Sequence, residues 1–186
     1  MDTEIVTARL RLRRSRPEDL DGLHALASNW DVVKQTATWP WPADRTFTAR
    51  RATPMDPKLG MGGPVFAGDE IVGMIGVSAE RGPAELGYMF APAHWGRGYA
   101  TEIGRALIAH AWNAYDWSEI HAGVLTANPA SARVLLKLGF EEGAPSSGPS
   151  AAQGGDYPTR TFRLARPGLV LSPETGPGAP RDSGTT

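Results

Sequence analysis

Two short stretches hold the residue types and spacings that could do chemistry. In Trp95-Gly96-Arg97-Gly98-Tyr99-Ala100, two glycines and an arginine stand before Ile103, Leu107 and Ala111 at helical spacing, so a helix is expected to begin near Gly98. The first N–H groups of a helix have no partner within it and sit at the positive end of the macrodipole. Glycines at such a start let a phosphate reach the backbone, and Arg97 adds positive charge, so the turn reads as an anion cradle. In the second stretch, Asn128-Pro129-Ala130-Ser131, Asn is a favoured N-cap and Pro suits the first helical position. Val134, Leu135 and Leu138 then supply an inward face before Gly139 closes the helix, and these facts alone require no more than a well-capped helix. One carboxylate, Glu85, lies on the strand that feeds the cradle, where it is either a proton acceptor or a surface or hairpin-paired group.

The elements that must position these residues follow in chain order. From Arg9 to Arg16 there are five arginines, but Leu10 and Leu12 alternate with Arg11 and Arg13, which favours a half-buried strand with a solvated face over a phosphate-binding arm. Pro17, Glu18 and Asp19 announce a helix that turns Leu20, Leu23 and Leu26 inward and ends near Asn29. Trp39-Pro40-Trp41-Pro42 cannot be helical, and Asp44 to Ala52 is expected to form a short second helix. The Gly- and Pro-rich run from Asp56 to Pro64 reads as loop. Val65 to Ala67 and Ile71 to Val77 read as a hairpin, with Gly73 and Gly76 marking a bulge or a close backbone approach. The next strand places Leu86, Tyr88 and Phe90 on one face and Glu85, Gly87 and Met89 on the other. Ile120 to Leu125 forms a buried strand expected to lie parallel to it through a right-handed crossover. Ala144 to Gly155 is low in complexity and reads as an uncommitted insertion or a lid before a last strand from Thr161 to Arg166.

With these residues in place, the sequence resembles the GNAT superfamily of N-acetyltransferases, and within it the branch of ribosomal-protein alanine N-acetyltransferases. ELGYMF, the Trp95 to Ala100 turn and the following ATE resemble that family's acyl-CoA pyrophosphate loop. NPASARVLLKLGF resembles its second CoA-contacting segment. The superfamily pattern is Gln or Arg, two residues, Gly, one residue, then Gly or Ala. Gly98 and Ala100 fit it, while Trp95 stands at the Gln/Arg position, a departure frequent in the branch.

The resemblance implies a mixed α/β fold: a central, mostly antiparallel twisted sheet with a splayed parallel strand pair, flanked by helices. It implies acetyl-CoA as co-substrate, held by Met89, Phe90, Trp95, Gly96, Arg97, Gly98, Tyr99, Ala100, Thr101, Asn128, Ser131 and Lys137. It also implies an amine acceptor, a protein N-terminus or a small molecule, with Glu85 as base. Trp39 and Trp41 are candidates for contact with that acceptor, and core packing is the competing role for both indoles. The tyrosine by which many members protonate the departing sulfur is replaced by Leu135, which leaves Ser131 as candidate donor to the thiolate. A silent acyl-CoA-binding module is the alternative that this replacement raises. Gly96-x-Gly98-x-x-Thr101, with Glu119 downstream, mimics part of a dinucleotide fingerprint, but the third glycine is missing.

Bulk properties narrow the classes. The chain has 186 residues, 19 Lys plus Arg against 20 Asp plus Glu, and no cysteine. A near-neutral balance gives no general pull toward nucleic acid, and the lack of cysteine excludes a disulfide scaffold and a thiolate metal site. His24, His94, His110 and His121 lack the paired helical spacing of a zinc site, so no metal is expected. No apolar run reaches the length of a membrane span, and no signal-peptide core is evident, so the expected location is cytoplasmic. Residues 1–166 are expected to form one domain, followed by a disordered Pro/Gly/Ser-rich tail at 167–186, with a homodimer as one form that the resemblance allows.

Overall fold

The computed structural model of the protein describes residues 3–168, so the expected tail lies, from residue 169 onward, outside the described residues. In chain order the elements are β1 (Glu4–Val6), β2 (Arg11–Arg13), a 3-10 turn (Pro17–Asp19), α1 (Leu20–Ala27), α2 (Trp30–Val33), α3 (Arg45–Arg51), β3 (Gly60–Ala67), β4 (Glu70–Ser78) and β5 (Glu85–Phe90). A second 3-10 turn (Pro92–His94) leads into α4 (Tyr99–Ala114), then β6 (Glu119–Leu125), α5 (Pro129–Lys137), β7 (Glu141–Glu142), β8 (Ser146–Ser150) and β9 (Gly155–Ala165). The strands form one sheet in the order β1-β2-β3-β4-β5-β6-β9-β7, with β8 paired to β9. Its one parallel pair is β5 with β6, as the crossover through α4 requires. Among the described residues no helix is long and apolar enough to cross a membrane.

Alternation along β5 sends its side chains to two cores. Leu86 and Phe90 pack with Ile103 and Leu107 of α4, Ile120 of β6 and Leu135 of α5. Met89 packs on the other side with Leu26, Val33 and Trp39. Leu23 and Leu26 of α1 are buried, as their spacing predicts. The first helix is broken after Ala27, however, because the Asn29 side chain accepts the Asp31 N–H at 2.9 Å and starts α2 as a separate turn.

Three other expectations need correction. The run from Asp56 to Pro64 is not all loop, since Gly60 to Pro64 belong to β3. Glycine serves there for close approach: a Cβ at Gly63 would lie 2.2 Å from the Arg13 carbonyl oxygen on β2. The stretch from Ala144 to Gly155 is neither lid nor loose insertion; β8 pairs with β9, which extends back to Gly155. The tip of that hairpin docks on the segment after α2, where Ala151 N donates to Ala37 O at 2.9 Å and Gln153 Nε2 to Lys34 O at 2.9 Å. Nor is the arginine run uniformly solvated. Arg13 is buried with its guanidinium bidentate on Asp19 at 2.8 and 2.7 Å, a hydrogen-bonded pairing that raises its pKa.

Candidate active site

β5 and β6 share a single register pair, Glu85 with His121, and the His121 N–H donates to Ala84 O at 2.7 Å. Beyond it the strands part. Just past the end of β5 the Ala91 N–H bonds Val72 O on β4, so the odd-numbered residues of the strand turn their main-chain groups to β4 and the even-numbered ones turn away from it. Leu86, Tyr88 and Phe90 thereby present main-chain groups to the gap. The same parity on β6, fixed by the His121 N–H, turns Gly123 and Leu125 toward it. The gap opens into a cavity of about 930 Å³ that runs from the Trp95 to Thr101 turn to the wall formed by Gln35 to Trp39. On these edges the Phe90 and Leu125 carbonyls accept from Trp95 Nε1 and Asn128 N, and the main-chain groups of Tyr88 and Gly123 between them suit an extended, amide-bearing ligand that can bond to both strands.

The turn that the sequence reads as an anion cradle is open at its glycines. Gly96 and Gly98 take left-handed φ of 74° and 78°, which side chains disfavour, and no atom lies within 4 Å of where a Gly96 Cβ would be. Among the described residues, no N–H from Gly96 to Thr101 has a hydrogen-bond acceptor. Trp95 lines the cavity, and its indole Nε1 donates to Phe90 O at 2.7 Å and braces the turn. Arg97 is exposed and lies outside the cavity lining. A cation that sequence reasoning assigned to a solvated strand does lie near: Arg9 Nη2 is 3.7 Å from the Cβ position of Gly98, held by Glu102 at 2.6 Å. Glu102 also accepts the Thr7 hydroxyl at 2.6 Å, and that bond, followed by those from Arg9, lowers its pKa. A second trough, lined by Gly98, Thr101, Arg105 and Lys137, continues the cradle across α4 and α5.

Ser131, in the first turn of α5, lines the same cavity as Trp95. Asn128 caps this helix by accepting the Ser131 N–H at 3.1 Å. The Ser131 Oγ lies 2.7 Å from the Tyr88 hydroxyl, which is also 3.1 Å from the Ser131 carbonyl oxygen. Burial pushes the Tyr88 pKa up to about 12, against a smaller opposite effect of the Ser131 bond, so the phenol is neutral across the working range. Leu135, at the tyrosine position of the resembled family, is fully buried in the core and offers no donor. Sequence reasoning placed Tyr88 on the Leu86 and Phe90 face; its meeting with a serine 43 positions later leaves no local signal.

Glu85 lines the cavity on the opposite face of β5 from Tyr88 and is exposed there. Its cross-strand neighbour His121 lines the cavity too, with Nε2 2.7 Å from Glu119. Glu119, which also pairs with Arg163 at 3.6 Å, is thus occupied on β6, so the fragmentary dinucleotide fingerprint has no acidic partner to offer. Trp39 is buried yet lines the cavity, so packing and lining are combined in one indole. Trp41 lies outside the lining, edge-on to Trp30 with ring centroids 5.5 Å apart. Met89 lines the cavity by its side chain, its main chain being turned to β4, whereas Phe90, Tyr99, Ala100, Thr101 and Asn128 also line it. Among the described residues no cluster of His, Asp or Glu is arranged to hold a metal ion.

Comparison with known proteins agrees with this geometry. Residues 9–141 match the family described as Acetyltransferase (GNAT) domain. An uncharacterized N-acetyltransferase of Bacillus subtilis (strain 168), YoaA, is 29% identical over 173 residues, covering 87% of this chain and 96% of its own. In fold the chain is similar to RimL, a ribosomal alpha-N-protein acetyltransferase solved in complex with coenzyme A, with a TM-score of 0.74 at 18% identity over 88% of this chain and 98% of that one. It is similar also to AAC(6')-Ib, solved with ribostamycin and coenzyme A, with a TM-score of 0.70 at 16% identity over 85% and 94% of the two chains. A splayed parallel pair, a glycine turn of unsatisfied N–H groups and the family match together make this chain a member of the GNAT acetyltransferase family, an acetyl-CoA-dependent N-acetyltransferase.

Proposed function

We propose that the protein moves the acetyl group of acetyl-CoA to a primary amine by direct attack within a ternary complex, residues 1–166 acting as one domain in the cytoplasm. The observation that carries this reading is the single cavity that joins the open N–H groups of Gly96 to Thr101, the gap beside Ser131 and the carboxylate of Glu85. The diphosphate lies against the cradle, Lys137 faces the nucleotide end, and the pantetheine arm bonds to the edges of β5 and β6. The amine reaches the thioester from the Glu85 side. Glu85, directly or through water, takes the proton that the ammonium must lose, and the free amine attacks the carbonyl carbon. As the C–N bond forms, the carbonyl electrons move to oxygen; their return breaks the C–S bond, and the extra proton on the new amide nitrogen passes through water to the departing sulfur, leaving amide and free thiol. Ser131 donates its hydroxyl proton in a hydrogen bond to the departing thiolate, while Tyr88 donates to Ser131 Oγ and fixes its orientation. A thiol has an ordinary pKa of about 8.5, so the thiolate is a tolerable leaving group without a stronger acid.

The acceptor classes follow the neighbours in outline: RimL acts on a protein N-terminus, and AAC(6')-Ib was solved with an aminoglycoside. Free-thiol release from acetyl-CoA, measured with a panel of amines and peptide N-termini, tests the reading. Turnover that falls about 10²-fold or more in Glu85→Gln, with acetyl-CoA affinity retained, is the expected result. Coenzyme A binding without turnover on any acceptor would instead favour the silent module.

A further inference from the structure

Arg51 closes α3 and lines the acceptor half of the cavity, and among the described residues no carboxylate pairs with it. Its guanidinium lies 5.2 Å from the centroid of the Phe47 ring and 5.9 Å from that of Trp39, and Nη2 donates to Thr38 Oγ1 at 3.1 Å. A guanidinium carries five N–H donors, and among the described residues this is the one hydrogen bond Arg51 makes and no ion pair includes it. Burial lowers its pKa, Arg81 adds repulsion, and the exposed Glu80 offsets part of this from outside contact distance. The buried Arg13 shows what is missing: bidentate on Asp19, it has its pKa raised. A desolvated cation with open donors facing a cleft favours an anion arriving with the ligand.

The wall around Arg51 limits what that ligand can be. Trp39, Met55 and Val32 give apolar surface, and Arg81 adds a second positive charge to the lining, beside the carboxylate of Glu80. A polycation would bring like charges to both arginines, whereas a carboxylate a few bonds from the reacting amine would meet Arg51 while the amine stands by Glu85. Resting on the acetyltransferase reading above, we propose that the acceptor is a primary amine bearing its own carboxylate, and that Arg51 is the group that receives it. Free α-amino acids and peptide N-termini followed by an acidic residue share this chemistry.

The test compares wild type, Arg51→Met and Arg51→Lys on free L-glutamate, on a tripeptide amide with glutamate in second position, on its glutamine and lysine counterparts, and on spermidine. The readout is the ratio of kcat/KM between the glutamate and glutamine peptides. Wild type should prefer glutamate by about ten- to a hundredfold, through KM more than kcat. Arg51→Met, which keeps an apolar stem beside Phe47, should bring the ratio near one, and Arg51→Lys should restore part of it. Free glutamate against the glutamate peptide separates the two sources of the carboxylate. A ratio near one in wild type, a ratio unchanged in Arg51→Met, or preference for the lysine peptide or spermidine would overturn the inference. If no amine is acetylated at all, the transferase step fails separately. Arg51 is then judged by thermal stabilisation of the coenzyme A-saturated protein, which the glutamate peptide should give, the glutamine peptide should not, and Arg51→Met should lose; equal stabilisation by both peptides overturns the proposal.

Discussion

Tyr88→Phe removes one hydroxyl and leaves the ring in place, 6.4 Å between centroids from Phe90. In wild type that hydroxyl, 2.7 Å from Ser131 Oγ, has a single proton to give. When it goes to Oγ, the serine's own proton is free to point at the sulfur; when it goes to the Ser131 carbonyl, 3.1 Å away, the serine proton is drawn back to the phenol. The developing thiolate selects the first arrangement. A neutral hydrogen bond is worth about 0.5–1.5 kcal/mol net, so losing it should lower kcat about 2- to 13-fold. Ser131→Ala removes the donor to a charged atom, worth about 1.5–3 kcal/mol, and should lower kcat about 13- to 160-fold. The double variant should match Ser131→Ala within about twofold, because the phenol acts only through the serine. Free-thiol release under acceptor saturation measures all three, and KM for acetyl-CoA should hold in Tyr88→Phe because the cradle is untouched. Losses that multiply in the double variant would refute the relay. So would a loss above about 10²-fold in Tyr88→Phe alone, which would make the phenol itself the proton donor.

Asp19→Ala leaves Arg13 buried without its carboxylate, and urea unfolding should show a loss of about 3–5 kcal/mol. Gly98→Ala forces a side chain into a left-handed φ of 78°, so stability should fall by about 1–2 kcal/mol, and KM for acetyl-CoA should rise as the methyl crowds the diphosphate. The Glu102 pKa is lowered in the folded state, chiefly by the Thr7 hydroxyl, so its contribution is present above the ordinary carboxylate range and lost as pH falls through the lowered value. Melting temperatures across that acid range should therefore drop more steeply for wild type than for Glu102→Gln, and parallel curves would show that the bond to Thr7 contributes nothing.

What was legible in the sequence is what depends on neighbours along the chain. Asn128 and Pro129 start α5 by their own chemistry, and Gly96 and Gly98 take backbone angles that they reach more easily than other residues. The same local reading placed Glu85 and Tyr88 on opposite faces of β5, and the cavity keeps them so. It failed at the Ser-, Gly- and Pro-rich run from Ser146 to Ser150, because nothing within that run makes it a strand. Its order comes from pairing with β9 and from Gln153 reaching Lys34, contacts whose partners lie far off in the chain. It failed likewise at Gly60 to Pro64, where absent side chains mark not a turn but the close passage of β2 and β4.

The active site divides along the same line. Its cofactor half is built from a turn and two helix starts, whose donors are fixed by local geometry, so a short string of residues is enough to write it. Its acceptor half, as proposed above, is built where Ala37 meets Ala151, where Arg51 from the end of α3 reaches Thr38, and where Glu85 meets His121. Each of those meetings joins separate segments, so a substitution in one can alter acceptor recognition while leaving the cradle intact. That separation predicts that exchanging Arg51 changes which amine is acetylated and leaves the affinity for acetyl-CoA within about twofold of wild type, because the side-chain contacts of Arg51 are to Thr38, Phe47 and Trp39 and not to the turn from Gly96 to Thr101. Coupled loss of both would mean that the two halves are held as one unit, and the acceptor wall could then not vary independently of the cradle.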